Sequence, residues 1–152
     1  MTERGGAAAA YEQLSPRLCE DLLRSGVFGR LAISTPDGPH VIPLNYAVND
    51  AAVTIRTTAD GLVARYALGE IAAFEIDYVE YDYRRGWSVQ ARGPVEVVPE
   101  DARAELAHAW LPQPWADGTR PLYLRLRWDE LTGRRLGPGW DPMRRLPVRR
   151  AF

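Results

Sequence analysis

The spacing of apolar residues is helical near the beginning of the chain and stops at a glycine. Ser15 followed by Pro16 resembles an N-cap with proline at the first helical position. Gly26 is a typical residue at the end of a helix. The apolar side chains between them recur at helical spacing: Leu18, Cys19, Leu22 and Leu23. The pattern predicts an amphipathic helix over residues 16–25.

From residue 27 the period changes to two, which is typical of strands with one buried face. Turn-forming residues interrupt this stretch at Pro36–Pro39 and again at Asn49-Asp50. The predicted strands are 27–35, 40–48 and 51–57. Because the turns are short, we expect these strands to form an antiparallel meander.

The remainder of the chain mixes short helices with further strands. One helix is predicted around residues 60–68 and another, begun by Pro99, over about 99–109. Strands with one apolar face are predicted in about 74–79, 87–97, 122–128 and 131–136. Six or seven antiparallel strands with inserted helices favour an α+β fold with a barrel-like sheet. A Rossmann fold is not expected, because no G-x-G-x-x-G follows a strand.

The amino-acid composition excludes several classes of enzyme and of binding partner. The chain has 152 residues, which suits one domain, and all 19 of its basic residues are arginine. The absence of lysine excludes a P-loop NTPase, a kinase with its strand lysine and any Schiff-base enzyme. With 20 acidic residues the net charge is −1, so we expect neither a nucleic acid nor a membrane as partner.

The single cysteine and the two histidines bear on the redox compartment and on metal binding. Cys19 is the single cysteine, and His40 and His108 lie far apart in the sequence, so neither a disulfide nor a zinc site is expected. No stretch approaches the ~20 apolar residues of a membrane span. We therefore expect a cytoplasmic, metal-free protein.

The two termini differ in composition from the domain between them, which we place at residues 15–137. Residues 1–14 are rich in glycine and alanine and are expected to be mobile. Residues 138–152 form an arginine-rich tail in which only Asp141 opposes Arg144, Arg145, Arg149 and Arg150. This tail is interpreted as solvated or docked on a partner, with anion or nucleic-acid binding as the alternative.

The strongest local case for ligand binding is Arg56-Thr57-Thr58 at the end of a predicted strand, just before the short helix. An arginine fork, two hydroxyls and the free amides of a helix start together suit a phosphate monoester. In the alternative interpretation Thr58 or Asp60 simply caps the helix. Arg65 could reach back to the anion, or pair with Asp60 or Glu70.

Two other features could bind a flat ring. Pro43 lies in the middle of a predicted strand, so this strand belongs at a sheet edge or turns its open side to a ligand or a partner chain. Of the five tryptophans, most are expected in the core or an interface, but Trp87 and Trp115 adjoin polar turns and could line a ring-binding cleft.

Catalytic side chains are not evident in the sequence. No catalytic triad, carboxylate dyad or metal cluster emerges, and Glu75 and Asp77 are interpreted as ordinary acids on a solvent-facing strand. Any chemistry is therefore expected to reside on a bound cofactor.

The order of several short motifs is similar to that of a known family. The motifs are Gly29-Arg30-Leu31-Ala32, Ile42-Pro43-Leu44-Asn45-Tyr46, Ile55-Arg56-Thr57, Ala73-Phe74-Glu75-Ile76-Asp77, Gly86-Trp87-Ser88-Val89, Pro114-Trp115-Ala116-Asp117-Gly118 and Leu131-Thr132-Gly133-Arg134-Arg135. From about Leu14 to Leu136 the chain resembles the pyridoxamine 5′-phosphate oxidase-like flavin-binding split-barrel proteins, most closely the small actinobacterial-type members labelled nitroreductase-like. The resemblance implies a six-stranded antiparallel split barrel that forms a homodimer with two cofactor sites at the subunit interface.

The resemblance also implies roles for particular residues. The backbone of Pro43, Leu44 and Asn45 would lie along the isoalloxazine ring. Arg56, Thr57 and Thr58 would hold the phosphate, and Trp87 and Ser88 would line the site. Trp115 and the segment Gly133-Arg134-Arg135 would come from the partner chain.

One position departs from the family pattern. Relatives that bind FMN commonly carry a lysine at the start of the short helix, where this chain has Leu62. Arg65, one turn further on, could replace that charge, or the site could have weakened or changed its ligand.

The function expected from the resemblance is an FMN-dependent oxidoreductase that transfers hydride through flavin N5 to a small-molecule substrate. A deazaflavin-dependent reductase on the same fold is one alternative. A non-catalytic flavin-binding or cofactor-free barrel is the other.

Overall fold

A computed structural model describes residues 11–106, 114–116, 118–137 and 139–144. The strands in these ranges are β1 (Tyr11–Gln13), β2 (Phe28–Thr35), β3 (Gly38–Asn45), β4 (Ala47–Asn49), β5 (Ala52–Thr57), β6 (Ile71–Glu80), β7 (Arg85–Val97), β8 (Leu122–Arg127) and β9 (Glu130–Leu136). The helices are α1 (Pro16–Ser25), α2 (Leu62–Tyr66), α3 (Glu100–Leu106) and a 3₁₀ turn at Pro142–Arg144. The predicted α+β class, with a mainly antiparallel sheet and short helices, is confirmed.

The long strand β7 joins two halves of the sheet. The strand order is β3-β2-β6-β7-β8-β5-β4, and β9 pairs with both β7 and β1. Along one edge β7 follows β6, whereas along the other it pairs first with β9, over Gly86–Arg92, and then with β8, over Val95–Val97. At the change of partner, a Cβ on Gly93 would collide with the backbone of Arg127. The two halves therefore close around a common core, and the sheet stays open between β3 and β4.

Helix α1 covers one side of this core, as its apolar stripe predicts. The Ser15 hydroxyl accepts a hydrogen bond from the Leu18 amide at 3.2 Å, which makes Ser15 the N-cap. Leu18 is half-buried, and the rest of the stripe is fully buried together with residues from several strands: Cys19, Leu22, Leu23, Phe74 and Val89. The core thus supports the strands on which the candidate site residues lie.

The structure interrupts the predicted strand 40–48 at Tyr46. The Tyr46 ring is fully buried edge-on to Phe74, with ring centroids 4.7 Å apart. Its hydroxyl donates to the Leu23 carbonyl at 2.6 Å, and its amide donates to Val27. These contacts turn the chain inward, so β3 ends at Asn45 and β4 starts a separate pairing with β5.

Part of the N-terminal segment that was expected to be mobile is a strand. Tyr11–Gln13 pair with β9, and the Leu14 amide donates to the Gly133 carbonyl at 2.9 Å. Three residues are too few for a periodic signal, but the open edge of β9 gives their backbone hydrogen-bond partners. Residues 1–10 lie outside the described ranges.

The beginning of the arginine-rich tail packs on the domain. Trp140 is only 9% exposed, and its carbonyl accepts a hydrogen bond from Arg135 at 2.9 Å. Arg145, Arg149 and Arg150, and the predicted helical residues 107–109, are outside the described ranges. None of the helices within those ranges is long and apolar enough to span a bilayer.

Candidate functional site

The proline-containing strand β3 lies at an edge of the sheet, as predicted. Within the described residues β3 pairs only with β2, and Pro43 lies opposite Arg30. Leu44 is half-buried, whereas Pro43 is exposed. At the end of the strand, the Asn45 side chain donates to the Val27 carbonyl at 3.2 Å and accepts from the Trp115 amide at 2.9 Å. Asn45 thus fastens a distant loop to the open edge.

Trp87 and Trp115 line the same cavity, which we call the ring cleft. Pairing between β2 and β6 ends at Arg30 and Glu75, and the cleft of about 280 Å³ opens where the two strands separate. Four aromatic side chains contribute to its walls: Phe28, Tyr78, Trp87 and Trp115. The Trp115 ring stacks on Phe28 with centroids 5.6 Å apart and planes 3° from parallel. The volume is near the lower end of ligand pockets, which suits a flat ring.

The rim of the ring cleft carries an arginine between two carboxyl groups. Arg30 lies 3.3 Å from Asp77 and 3.7 Å from Glu75. Burial raises the pKa of Glu75 to about 7, the adjacent Asp77 acts in the same direction, and Arg30 opposes both. The interpretation of Glu75 and Asp77 as ordinary solvent-facing acids is therefore incomplete, since both are half-buried and tied to Arg30.

Ser88 and Arg135 lie beyond the ring cleft. Half-buried Ser88 faces a second cavity of about 410 Å³, the outer groove, whose wall also includes Trp87 and Arg134. Arg135 bonds the Trp140 carbonyl and forms an ion pair with Glu12. Its charge is thus engaged within the chain.

Arg56 lies in a different part of the molecule, at the end of β5. Its Nε donates to the Arg120 carbonyl at 3.2 Å, and its guanidinium carbon lies 5.2 Å from the centroid of the Tyr123 ring. Tyr123 is its direct cross-strand partner in β8. No carboxylate in the described ranges pairs with Arg56, so its charge remains available to an anion.

Thr57 and Thr58 lie beside the start of α2, and Thr57 points away from the Arg56 guanidinium. Alternation along β5 sends Arg56 and Thr57 to opposite faces. A Cβ on Gly61 would lie 2.9 Å from the Thr58 hydroxyl oxygen and 3.5 Å from that of Thr57. The helix cap is Gly61 with no side-chain bond, so neither Thr58 nor Asp60 caps α2. The structure thus divides the predicted phosphate trio into two donor groups.

Leu62 and Arg65 lie at the beginning and near the end of α2, which has only five residues. Leu62 is 37% exposed, and exposed Arg65 reaches back to donate to the Asp60 carbonyl at 3.4 Å. Arg65 forms no ion pair with Asp60 or Glu70, which removes that alternative.

The segment 114–121 connects the ring cleft with Arg56. Its Trp115 amide bonds Asn45, and its Arg120 carbonyl bonds Arg56. The Arg120 guanidinium also bonds the carbonyls of Ala116 and Gly118, at 3.0 and 3.3 Å, and so closes the loop on itself. Trp115 and Arg120 are five residues apart and thus separated by at most about 18 Å.

Arg103 was missed by sequence reasoning. Its guanidinium carbon lies 5.2 Å from the centroid of the same Tyr123 ring that Arg56 covers. Its Nε is buried and has no hydrogen-bond partner among the residues that the structure describes. Nothing in the local sequence of α3 marks this arginine, because its environment depends on how β8 is placed. Within the ranges described, no three histidine, cysteine or carboxylate side chains gather as metal ligands.

Comparison with protein families identifies the relationship. The sequence profile of the pyridoxamine 5′-phosphate oxidase family matches residues 15–135. The chain belongs to this family. The resemblance seen in the sequence is thereby confirmed, and the match runs from the α1 cap at Ser15 to Arg135 in β9.

Solved structures similar to this family member include two from Mycobacterium smegmatis. One is an FAD binding protein, 29% identical, with a TM-score of 0.68 and coverage of 82% of this chain and 97% of that one. The other is an FAD and heme binding protein, 19% identical, with a TM-score of 0.66 and coverage of 84% and 74%.

A third similar structure is an FAD-binding protein from Mesorhizobium loti, 23% identical, with a TM-score of 0.69 and coverage of 84% and 99%. The FAD and heme binding protein, at 19% identity, and the Mesorhizobium loti protein, at 23%, indicate the fold of this chain alone. Comparison with curated protein sequences finds no match.

Proposed function

We propose that this chain is a flavin-dependent oxidoreductase that binds FMN. The observation that carries the proposal is that the segment 114–121 links Arg56, which pairs with no carboxylate of the described ranges, to an aromatic ring cleft. A flavin mononucleotide has a phosphate at one end and a flat ring at the other. Of the relatives described above, the one with the highest sequence identity is named an FAD binding protein, and FAD has the same ring with a phosphate at the corresponding position, there linked to a second phosphate.

The residues at each end fit these groups. Arg56 offers its terminal nitrogens to a phosphate while its Nε stays on the Arg120 carbonyl. The Thr57 and Thr58 hydroxyls, near Gly61, form a second group of donors for the ester or the sugar chain. At the other end, Trp87 and Trp115 provide apolar surface in the ring cleft. The backbone of Pro43, Leu44 and Asn45 lies outside the lining of that cleft, is linked to it by the bond from Asn45 to Trp115, and provides an open strand edge for the ring.

A bound flavin supplies hydride transfer through its N5 atom to or from a small-molecule substrate. The protein contributes binding, orientation and exclusion of water. Arg30, held between Glu75 and Asp77, contributes a positive charge to the rim of the ring cleft.

We propose further that the protein acts as a homodimer. One face of the sheet, the outer face, exposes apolar side chains on four strands: Tyr11 at 68%, Phe28 at 38%, Val41 at 64% and Val79 at 55%. The outer groove and the mouth of the ring cleft open on this face. A second copy would cover the apolar surface and complete the wall of the ring site.

Buried, unpaired Cys19 suits a reducing compartment, and we place the protein in the cytoplasm.

The test is the absorbance spectrum of the purified protein, followed by titration of the apoprotein with FMN, FAD, riboflavin and a deazaflavin coenzyme. We expect FMN to bind with the highest affinity. If only the deazaflavin coenzyme binds, the proposed cofactor is the deazaflavin and not FMN. If none of the four ligands binds at concentrations up to tens of micromolar, the proposal is rejected.

A second measurement separates an oxidoreductase from a flavin carrier. Anaerobic stopped flow compares the rate at which bound reduced FMN transfers hydride to a test quinone with the rate for free reduced FMN. A faster reaction for the bound flavin supports the enzyme. A slower one indicates a carrier.

A further inference from the structure

Several half-buried arginines of the described ranges have a carboxylate partner there, and Arg56 and Arg103 do not. Four of them form ion pairs within the chain: Arg24 with Glu20, Arg85 with Glu80, Arg125 with Glu96 and Arg135 with Glu12. Arg56 and Arg103 are also half-buried and form no ion pair with any carboxylate in the described ranges. Both cover the Tyr123 ring at 5.2 Å. The two uncompensated charges therefore share one aromatic platform.

Arg56 and Arg103 reach the Tyr123 ring from two different elements of the fold. Arg56 lies directly opposite Tyr123 in the pairing of β5 with β8. Arg103 arrives on α3, because the Val98 amide, just before the helix, donates to the Tyr123 carbonyl at 2.9 Å. The Arg103 amide donates to the Pro99 carbonyl at 3.0 Å, so Arg103 lies in the first turn of the helix that follows this contact.

The arrangement is costly without an anion. Contacts with the ring face stabilise each guanidinium, yet two like charges beside one ring repel each other. In addition, the Nε of Arg103 is buried without a hydrogen-bond acceptor, which is unfavourable for a charged donor. A phosphate group would offset the repulsion, since its oxygens accept bonds from more than one guanidinium and its charge balances theirs.

We propose that Arg103 and Arg56 together form a two-guanidinium site for the phosphate ester of the cofactor, with Tyr123 as their common support. This inference rests on the proposed function and assigns to α3 a charge that relatives commonly place at the start of the short helix, where this chain has Leu62. Arg103 contacts the ligand in this proposal, and Tyr123 positions both arginines.

The experiment compares FMN with riboflavin, which lacks the phosphate. Dissociation constants of both ligands are measured for the wild type, Arg103→Gln and Arg103→Lys by quenching of flavin fluorescence. Arg17→Gln is the matched control, because it removes the same charge from an exposed position on α1. We expect Arg103→Gln to weaken FMN binding by on the order of tenfold or more, to leave riboflavin binding unchanged, and to be partly rescued by lysine.

Equal losses of affinity for FMN and for riboflavin would show a structural role for Arg103 and overturn the assignment. Unchanged FMN affinity would also overturn it. A second measurement separates this result from failure of the proposed function. NMR follows the Arg103 Nε–H signal of the apoprotein during titration with inorganic pyrophosphate. A shift of that signal in a protein that binds no flavin would keep the anion site and reject FMN, whereas no shift would reject the site itself.

Discussion

The Nε of Arg56 donates a hydrogen bond to the backbone carbonyl of Arg120, 3.2 Å away. A carbonyl orients a guanidinium without neutralising it, unlike the carboxylate partners of most half-buried arginines in this chain. The Arg120 side chain holds its own loop closed through Ala116 and Gly118. The position of the Arg56 charge thus depends on a loop whose other end is fastened to Asn45.

Replacement of Arg56 tests this arrangement directly. We expect Arg56→Ala to weaken FMN binding by about 1.5–3 kcal/mol, the usual contribution of a charge-assisted hydrogen bond. Arg56→Lys should recover only part of the loss, because lysine cannot bond the Arg120 carbonyl and an anion with the same planar fork. Isothermal titration calorimetry measures both variants. An unchanged dissociation constant for Arg56→Ala would refute the assignment of Arg56 to the phosphate.

The sequence predicted those helices and strands whose caps, prolines and hydrophobic spacing lie within the element itself. Helix α1 is where its cap, proline and apolar stripe placed it, and Pro43 correctly indicated an edge strand. The periodicity also indicated the long strands, since alternation of buried and exposed positions is a property of each strand alone. The pairing of β1 with β9 was not predictable from Tyr11–Gln13, because its partner strand lies more than 100 residues away in the chain.

The candidate site was predicted less completely, and for the same reason. Trp87 and Trp115 were identified by their polar neighbours, but their meeting in one cleft depends on the separation of β2 from β6. Arg103 was overlooked because its proximity to Arg56 follows from the register of β5 with β8. Residue type and spacing indicate which groups can bind. The sheet register decides which of them meet.

Leu62 provides a second test of how the phosphate is held. Leu62 is 37% exposed at the first position of α2, so Leu62→Lys is compatible with the fold. If Arg56 and Arg103 already supply the charge, the added lysine should change the FMN dissociation constant by less than about threefold, on the order of a screened surface charge. Tightening of tenfold or more would instead place the phosphate beside Thr57, Thr58 and α2. Leu62→Gln serves as the uncharged control.

Val79 tests the proposed dimer. Val79 is 55% exposed in the middle of the outer face, next to Tyr11 and Leu136 in the outer groove. A carboxylate there would lose its hydration in a dimer and replace apolar contact surface, so we expect Val79→Asp to be monomeric. Sedimentation velocity should give a mass near 17.0 kDa for the variant and twice that for the wild type. Val97→Asp, at an exposed valine outside the outer groove, should remain a dimer, and a monomeric wild type would reject the proposal.

Glu75 makes the stability of the fold depend on pH. In the folded protein, burial first and Asp77 second raise the pKa of Glu75 to about 7, whereas an unfolded glutamate titrates near about 4.3. Between these values the folded state binds more protons than the unfolded state. The free energy of unfolding therefore falls as pH rises from about 4.3 to about 7, and it then levels off.

Urea denaturation of the wild type and Glu75→Gln at pH 5, 6, 7 and 8 measures this contribution. Because glutamine mimics the protonated acid, the variant should gain stability relative to the wild type as pH rises to about 7, with no further gain above it. Glu130→Gln, at an exposed position 3.7 Å from Arg92, is the matched control and should follow the wild type. Parallel pH profiles for Glu75→Gln and the wild type would show that Glu75 is already ionised at pH 5, with Arg30 compensating its burial.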